Sequence, residues 1–296
     1  DDSPTFSLVE CDDSAWQQVT IPHDWAIYGP FSIHNDRQNV AITQDGQREA
    51  MEHAGRTGGL PFVGVGWYRL GFDIAKLEVS NRVTLIFDGA MSHARVYVNG
   101  NEAGYWPYGY NSFHLDITPY VTEGHNQLAV RLENMPESSR WYPGAGLYRN
   151  VHLVVTNDIH IPVWGTQITT PEVNDRYAKV VVRTEVSLPE GAKAEGCTLR
   201  TDILNSKGEV VASSEDGIGL YNESVIAQHI DVANPELWSV ESPTLYSAAS
   251  RLYYNGELKD EYTTRFGIRT VQLERTSVID PEKGGKFEFI VNGVKT

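Results

Sequence analysis

The chain has 296 residues, 41% hydrophobic and 21% charged, with a formal net charge of -15. This balance describes a globular protein and excludes a disordered one. The acidic charge argues against a nucleic-acid partner, which needs a basic surface for phosphate. No apolar run reaches the ~18 residues of a membrane span.

The length suits about two domains. Asp1-Asp2-Ser3-Pro4 lacks the apolar stretch of a signal peptide. Removal of such a peptide would imply a periplasmic or secreted protein, and otherwise a cytoplasmic one is expected. Ile33 to Ala54 is polar and reads as a surface loop, with a substrate-rim loop as the alternative; Gln47 to Ala54 is the only helical candidate. Gly55 to Gly66 is glycine-rich, but strand residues Trp67-Tyr68-Arg69 follow it instead of a helix, so it is not a nucleotide loop.

Short alternating runs come next: Val83 to Phe87, Ala94 to Val98 before an Asn99-Gly100 turn, Asn126 to Leu132, and Val151 to Val155. Period-2 alternation with closely spaced turns predicts a β-sandwich. Trp106-Pro107-Tyr108-Gly109-Tyr110 places three aromatics on a turn. A buried corner or covered interface is the favoured reading, and a carbohydrate platform the alternative. A break is expected near Thr156-Asn157-Asp158.

A second strand series covers Ala178–Leu188, Thr198–Asn205, Glu209–Ser213, Ser224–Val232, Leu245–Tyr253 and Thr263–Leu273, with a hairpin turn at Tyr254-Asn255-Gly256-Glu257. It suits an immunoglobulin-like sandwich. Glu274 to Gly285 reads as a polar linker. Lys286 to Thr296 reads as a hairpin turning at Asn292-Gly293, the opening of a further domain expected beyond Thr296. The 2 cysteines, Cys11 and Cys197, are expected as free, mostly buried thiols.

His23-Asp24 has no nucleophile elbow beside it, and Pro22 and Trp25 flank it. A structural turn is expected there in preference to a catalytic dyad. Aromatics are plentiful, 7 Trp and 15 Tyr, and such rings serve either as sandwich core or as faces for sugar stacking.

Four ordered segments carry a resemblance. They are Val19-Thr20-Ile21-Pro22-His23-Asp24-Trp25; Gly64-Val65-Gly66-Trp67-Tyr68-Arg69; Phe87-Asp88-Gly89-Ala90 continuing to Gly109-Tyr110-Asn111-Ser112-Phe113; and Ser139-Arg140-Trp141-Tyr142-Pro143-Gly144-Ala145-Gly146-Leu147-Tyr148-Arg149. With Leu237-Trp238-Ser239 and Arg265-Phe266-Gly267-Ile268-Arg269, the set resembles the amino-terminal half of glycoside hydrolase family 2.

The resemblance implies an all-β chain. A jelly-roll (galactose-binding-like) sandwich is expected over 1–157, an immunoglobulin-like sandwich over 158–273, and over 274–296 a linker with the start of a catalytic (β/α)8 barrel in cis. Retaining hydrolysis uses two carboxyl groups about 5–5.5 Å apart. In the family these are barrel glutamates, so no catalytic residue is expected in this chain. Asn222-Glu223 imitates the family's acid/base pair, but lies in the second sandwich and reads as a loop glutamate.

Ser139, Arg140, Trp141 and Tyr142 are the expected substrate-pocket rim, because a guanidinium supplies fixed donors to hydroxyls and indole a stacking face. The competing reading is a domain-interface cluster. Some β-galactosidases carry a sodium-binding aspartate near this loop, where Ser138 and Ser139 stand here; no metal and no cofactor is expected.

The expected partner is a carbohydrate substrate of the parent enzyme, of β-galactosidase type, with glucuronidase and mannosidase open and homo-oligomerisation allowed. A free-standing lectin-like protein and a two-sandwich adhesion module are the alternatives.

Overall fold

The computed structural model describes residues 2–32, 35, 61–136, 142–218, 224–275 and 287–295. Among them the chain is all-β, with helix confined to short 3-10 turns such as Pro4–Ser7 and Ala26–Tyr28. The helical candidate at Gln47 to Ala54 lies outside the described residues. The chain divides into two compact units, Asp1–Val155 and Thr156–Thr296.

The first unit holds β1 (Gly64–Ile74), β2 (Asn81–Phe87), β3 (Ala94–Val98), β4 (Asn101–Trp106), β5 (Phe113–Asp116), β6 (Gly124–Asn134) and β7 (Val151–Asn157). They form sheets ordered β1-β6-β3-β4 and β5-β2-β7, the jelly-roll-type sandwich. Alternation decides the faces: Val83, Leu85 and Phe87 of β2, and Val96 and Val98 of β3, point into one core with Phe113, Val130 and Leu132. Burying each such side chain contributes about 1.5–3 kcal/mol.

Asn99 and Gly100 turn β3 into β4 at φ 51 and 81, values that favour Asn and Gly. The Asn99 side chain also donates to Asn126 Oδ1 at 2.8 Å and accepts from the Gln127 amide at 2.9 Å. One residue thus makes the turn and ties it to β6.

Arg69 of β1 straps the amino-terminal segment to the sheet. Its side chain is 3% exposed, and its guanidinium donates to Asp13 Oδ2 at 2.8 Å and to the Phe6 and Leu8 carbonyls at 2.6 and 2.9 Å. A buried charge is stable when paired and hydrogen-bonded in this way.

The second unit holds β8 (Thr166–Val173), β9 (Tyr177–Glu185), β10 (Cys197–Leu204), β11 (Val210–Gly217), β12 (Val225–Ala233), β13 (Tyr246–Tyr254) and β14 (Glu257–Phe266). Sheets ordered β11-β10-β13-β14 and β12-β9-β8 give the immunoglobulin-like sandwich. Val180 and Val182 face Ile203 and Ala248 across its core. Cys11 and Cys197 are free, Cys197 buried and Cys11 half-buried. β8 has no counterpart among the expected strands.

The strand expected over Thr263–Leu273 is two strands. β14 ends at Phe266, and β15 (Val271–Arg275) joins β16 (Phe287–Val291) and β17 (Val294–Lys295) in a separate sheet. Gly267 and Ile268 form the break. A Cβ on Gly267 would lie 2.8 Å from the Trp238 side chain, and the Trp238 amide donates to the Ile268 carbonyl at 2.9 Å.

Glu274 and Arg275, expected in a linker, belong to β15. The Asn292-Gly293 turn is present at φ 51 and 77. Asn292 Oδ1 accepts from the Thr270 amide, and its Nδ2 donates to the Trp238 carbonyl, each at 2.9 Å.

Candidate functional site

Of the expected rim, Ser139, Arg140 and Trp141 lie outside the described residues, as does Asn222-Glu223, while Tyr142 is described. Its surroundings are built by two backbone stretches. Ile21 packs on the core and Pro22 follows it, after which the His23 and Trp25 amides donate to the Leu147 and Ala145 carbonyls at 2.8 and 3.2 Å. This places Asp24 against the segment following Tyr142.

The Asp24 carboxylate is fully engaged there. Oδ1 accepts from the Ala26 amide at 3.0 Å and from the Tyr142 hydroxyl at 2.6 Å, and Oδ2 accepts from the Ala145 amide at 3.1 Å. Three hydrogen-bond donors among the described residues hold the charge.

His23 turns elsewhere, with Nδ1 2.8 Å from the Tyr68 hydroxyl and its ring stacked on Tyr28 at 6.0 Å. These bonds make His23-Asp24 a structural turn, as expected. Burial first, then the Asp24 carboxylate, raises the Tyr142 phenol well above its ordinary range; burial does the same for Tyr68. Both remain neutral donors across the physiological range.

Gly146 closes this corner at φ 117. Its amide and carbonyl exchange hydrogen bonds with Met91, and a Cβ there would lie 2.4 Å from the Tyr68 hydroxyl and 2.6 Å from the His23 carbonyl. Trp25 seats its indole against Gly66, where a Cβ would come within 2.4 Å of Nε1. Both glycines serve close approach.

Among the described residues no group of three or more His, Cys, Asp or Glu is arranged to hold a metal. No helix there is long and apolar enough to cross a membrane.

The sequence singles out Tyr142 as part of the expected rim but gives no sign of its hydrogen-bond partner. Asp24 and Tyr142 stand 118 positions apart, and no spacing rule connects them. The aromatic turn is divided. Trp106 packs on the first core, stacked 5.5 Å from Phe113, while Tyr108 and Tyr110 are exposed. The buried-corner reading holds for Trp106, and the interface reading stays open for the two tyrosines.

Comparison with known proteins places this corner in a family. Residues 7–157 match the model "Glycosyl hydrolases family 2, sugar binding domain", and residues 159–269 match "Glycosyl hydrolases family 2". The chain belongs to glycoside hydrolase family 2.

Within the family it is similar to the β-galactosidase BoGH2A of Bacteroides ovatus, 36% identical over 290 residues, covering 96% of this chain and 31% of that protein. A Formosa agariphila protein carrying a provisional β-glucuronidase name is 35% identical over 271 residues, covering 91% of this chain and 24% of its own length. Among solved structures, a family 2 member from Bacteroides cellulosilyticus superposes with a TM-score of 0.81 at 32% identity, over 99% of this chain and 36% of that one. The chain thus spans about a third or less of these relatives and corresponds to their amino-terminal part.

Proposed function

We propose that this chain is the non-catalytic amino-terminal region of a retaining exo-β-glycosidase of β-galactosidase type, acting on terminal β-linked sugars. On this reading residues 1–157 and 158–273 are its two sandwich domains, and 274–296 lead into a catalytic barrel in cis. Bond cleavage belongs to two barrel glutamates, one acid/base and one nucleophile, about 5–5.5 Å apart. The carrying observation is the match to a β-galactosidase over 96% of this chain but only 31% of that enzyme.

Ser139, Arg140, Trp141 and Tyr142 then form a wall of the sugar pocket. Tyr142 itself is tied to Asp24 by its hydroxyl. Arg140 would donate to sugar hydroxyls and Trp141 would supply a stacking face.

The test is the longer reading frame, expressed and assayed on aryl β-galactoside, β-glucuronide and β-mannoside. A kcat/KM for the galactoside at least about ten-fold above the others, a difference of about 1.4 kcal/mol in transition-state binding, is expected. Preference for the glucuronide would overturn the galactosidase assignment, and absence of all three activities would overturn the hydrolytic one.

A further inference from the structure

Three Asn-Gly pairs close hairpins in this chain, and their backbones are nearly the same. Asn99-Gly100 joins β3 to β4, Asn255-Gly256 joins β13 to β14, and Asn292-Gly293 joins β16 to β17. The asparagines have φ 51, 50 and 51, and the glycines φ 81, 84 and 77. What differs from turn to turn is the surroundings of the asparagine side chain.

An asparagine followed by glycine is open to attack by its own main chain. The glycine amide nitrogen adds to the asparagine Cγ and forms the C–N bond of a cyclic succinimide. The Cγ–Nδ2 bond breaks, and Nδ2 leaves as ammonia with the proton of the attacking amide. Water then opens the ring at either carbonyl, giving aspartate or, with the main chain rerouted through the side chain, isoaspartate. Glycine favours the attack because it has no Cβ to obstruct the approach. The rate then depends on how freely the carboxamide turns into line with the nitrogen.

Two of the three carboxamides are pinned. Asn99 Oδ1 accepts from the Gln127 amide at 2.9 Å, and its Nδ2 donates to the Tyr120 carbonyl at 2.9 Å and to Asn126 Oδ1 at 2.8 Å. Asn292 is held at both ends by Thr270 and Trp238, each bond 2.9 Å long. Both asparagines are half-buried. Rotation of either side chain toward its glycine first breaks these bonds.

Asn255 is exposed, as is Gly256, and its carboxamide makes no hydrogen bond among the described residues. Only its backbone amide is engaged, donating to the Gly196 carbonyl at 2.9 Å. The turn is thus fixed by its main chain, while the side chain that would react rotates in water.

We infer that Asn255 is a site of spontaneous deamidation in the folded chain, and that Asn99 and Asn292 are shielded from it by their hydrogen bonds. The product places a carboxylate, or a lengthened main chain, at the tip of the β13–β14 hairpin. Giving up two or more hydrogen bonds before attack slows the shielded sites about ten-fold or more.

The test is tryptic peptide mapping by mass spectrometry of the 296-residue chain aged in neutral buffer. Asn255 falls in peptide 252–259, Asn292 in 287–295 and Asn99 in 96–131. Amide-to-acid conversion at Asn255 should run at least about ten-fold faster than at the other two. In a parallel sample kept unfolded in guanidinium the three rates should draw together, because the pinning bonds are gone.

Equal rates in the folded chain, or no conversion at Asn255 there, overturn the inference. A gap of the same size in the unfolded sample would trace it to local sequence and overturn the shielding. The readout is a mass change without turnover, so it is independent of whether a longer protein hydrolyses glycosides.

Discussion

The Tyr142 hydroxyl donates to Asp24 Oδ1 at 2.6 Å, joining two parts of the chain 118 positions apart. The same carboxylate takes the Ala26 and Ala145 amides. Asp24 is therefore the post on which the segment after the proposed rim is mounted.

Removing that post should destabilise the first unit. Asp24→Ala strands two backbone donors and a phenol, an expected loss of about 2–4 kcal/mol, while Tyr142→Phe loses one charge-assisted bond, about 1–2 kcal/mol. Urea unfolding followed by amide exchange in β1 and β6 checks both. A change below about 0.5 kcal/mol for Asp24→Ala would place it among ordinary surface substitutions and remove its anchoring role.

Gly146 should tolerate no side chain. At φ 117, with the Tyr68 hydroxyl and His23 carbonyl within 2.6 Å of a Cβ, Gly146→Ala combines backbone strain with overpacking, for about 2–4 kcal/mol. The expected readout is a lower melting temperature of the first unit. An unchanged melting temperature would mean that the His23 turn is free to move aside.

The second unit carries an acid-sensitive network. Asp202 is buried and accepts from Ser213 Oγ at 2.7 Å and Arg251 Nη1 at 2.8 Å. Burial pushes its pKa up, but the bonds from Ser213 and Arg251 and the charge of Arg200 outweigh this, leaving it below its ordinary value of 3.8. A folded pKa below the unfolded one gives stability that is present above the unfolded value and lost as pH falls through the folded one. Asp202→Asn should therefore lower the urea midpoint at pH 7, with the gap to the unaltered chain closing as pH falls below the ordinary carboxylate value of 3.8. A gap of constant size from neutral to acid pH would count against the charge as its source.

Asn292 should act as the pin of the hairpin sheet. Its carboxamide joins the Thr270 amide to the Trp238 carbonyl, two bonds worth about 1–3 kcal/mol together. Asn292→Ala should speed hydrogen exchange in β15 and β16 by about ten- to a hundred-fold, leaving β9 and β10 unchanged. Uniform acceleration over the whole second unit would instead indicate global destabilisation.

How much of this is legible in sequence depends on how local its cause is. The turns at Asn99-Gly100, Asn255-Gly256 and Asn292-Gly293 are readable because positive φ is a property of the residues themselves. The alternating burial of Val83, Leu85 and Phe87 is readable for the same reason.

The division between β14 and β15 is not local. Apolar residues recur through Ile268 and Val271, and the break coincides with Trp238, distant in sequence, folding against Gly267 and bonding the Ile268 carbonyl. The Asp24–Tyr142 bond is equally hidden, since nothing near either residue names the other. Tyr108 and Tyr110 show a third limit: composition marks them as aromatic but not which side of the loop they face, and they are exposed while Gly109 between them is buried against Met91.

The claim on which the functional reading rests is that bond cleavage is not performed by these two sandwiches. Its most direct test is release of 4-nitrophenol from aryl β-galactoside and β-glucuronide by the purified 296-residue chain, beside the extended protein. The expected result is turnover by the extended protein and none above buffer by the chain. Steady release that follows the chain through successive purification steps, and disappears on replacing one of its own carboxylates, would contradict it.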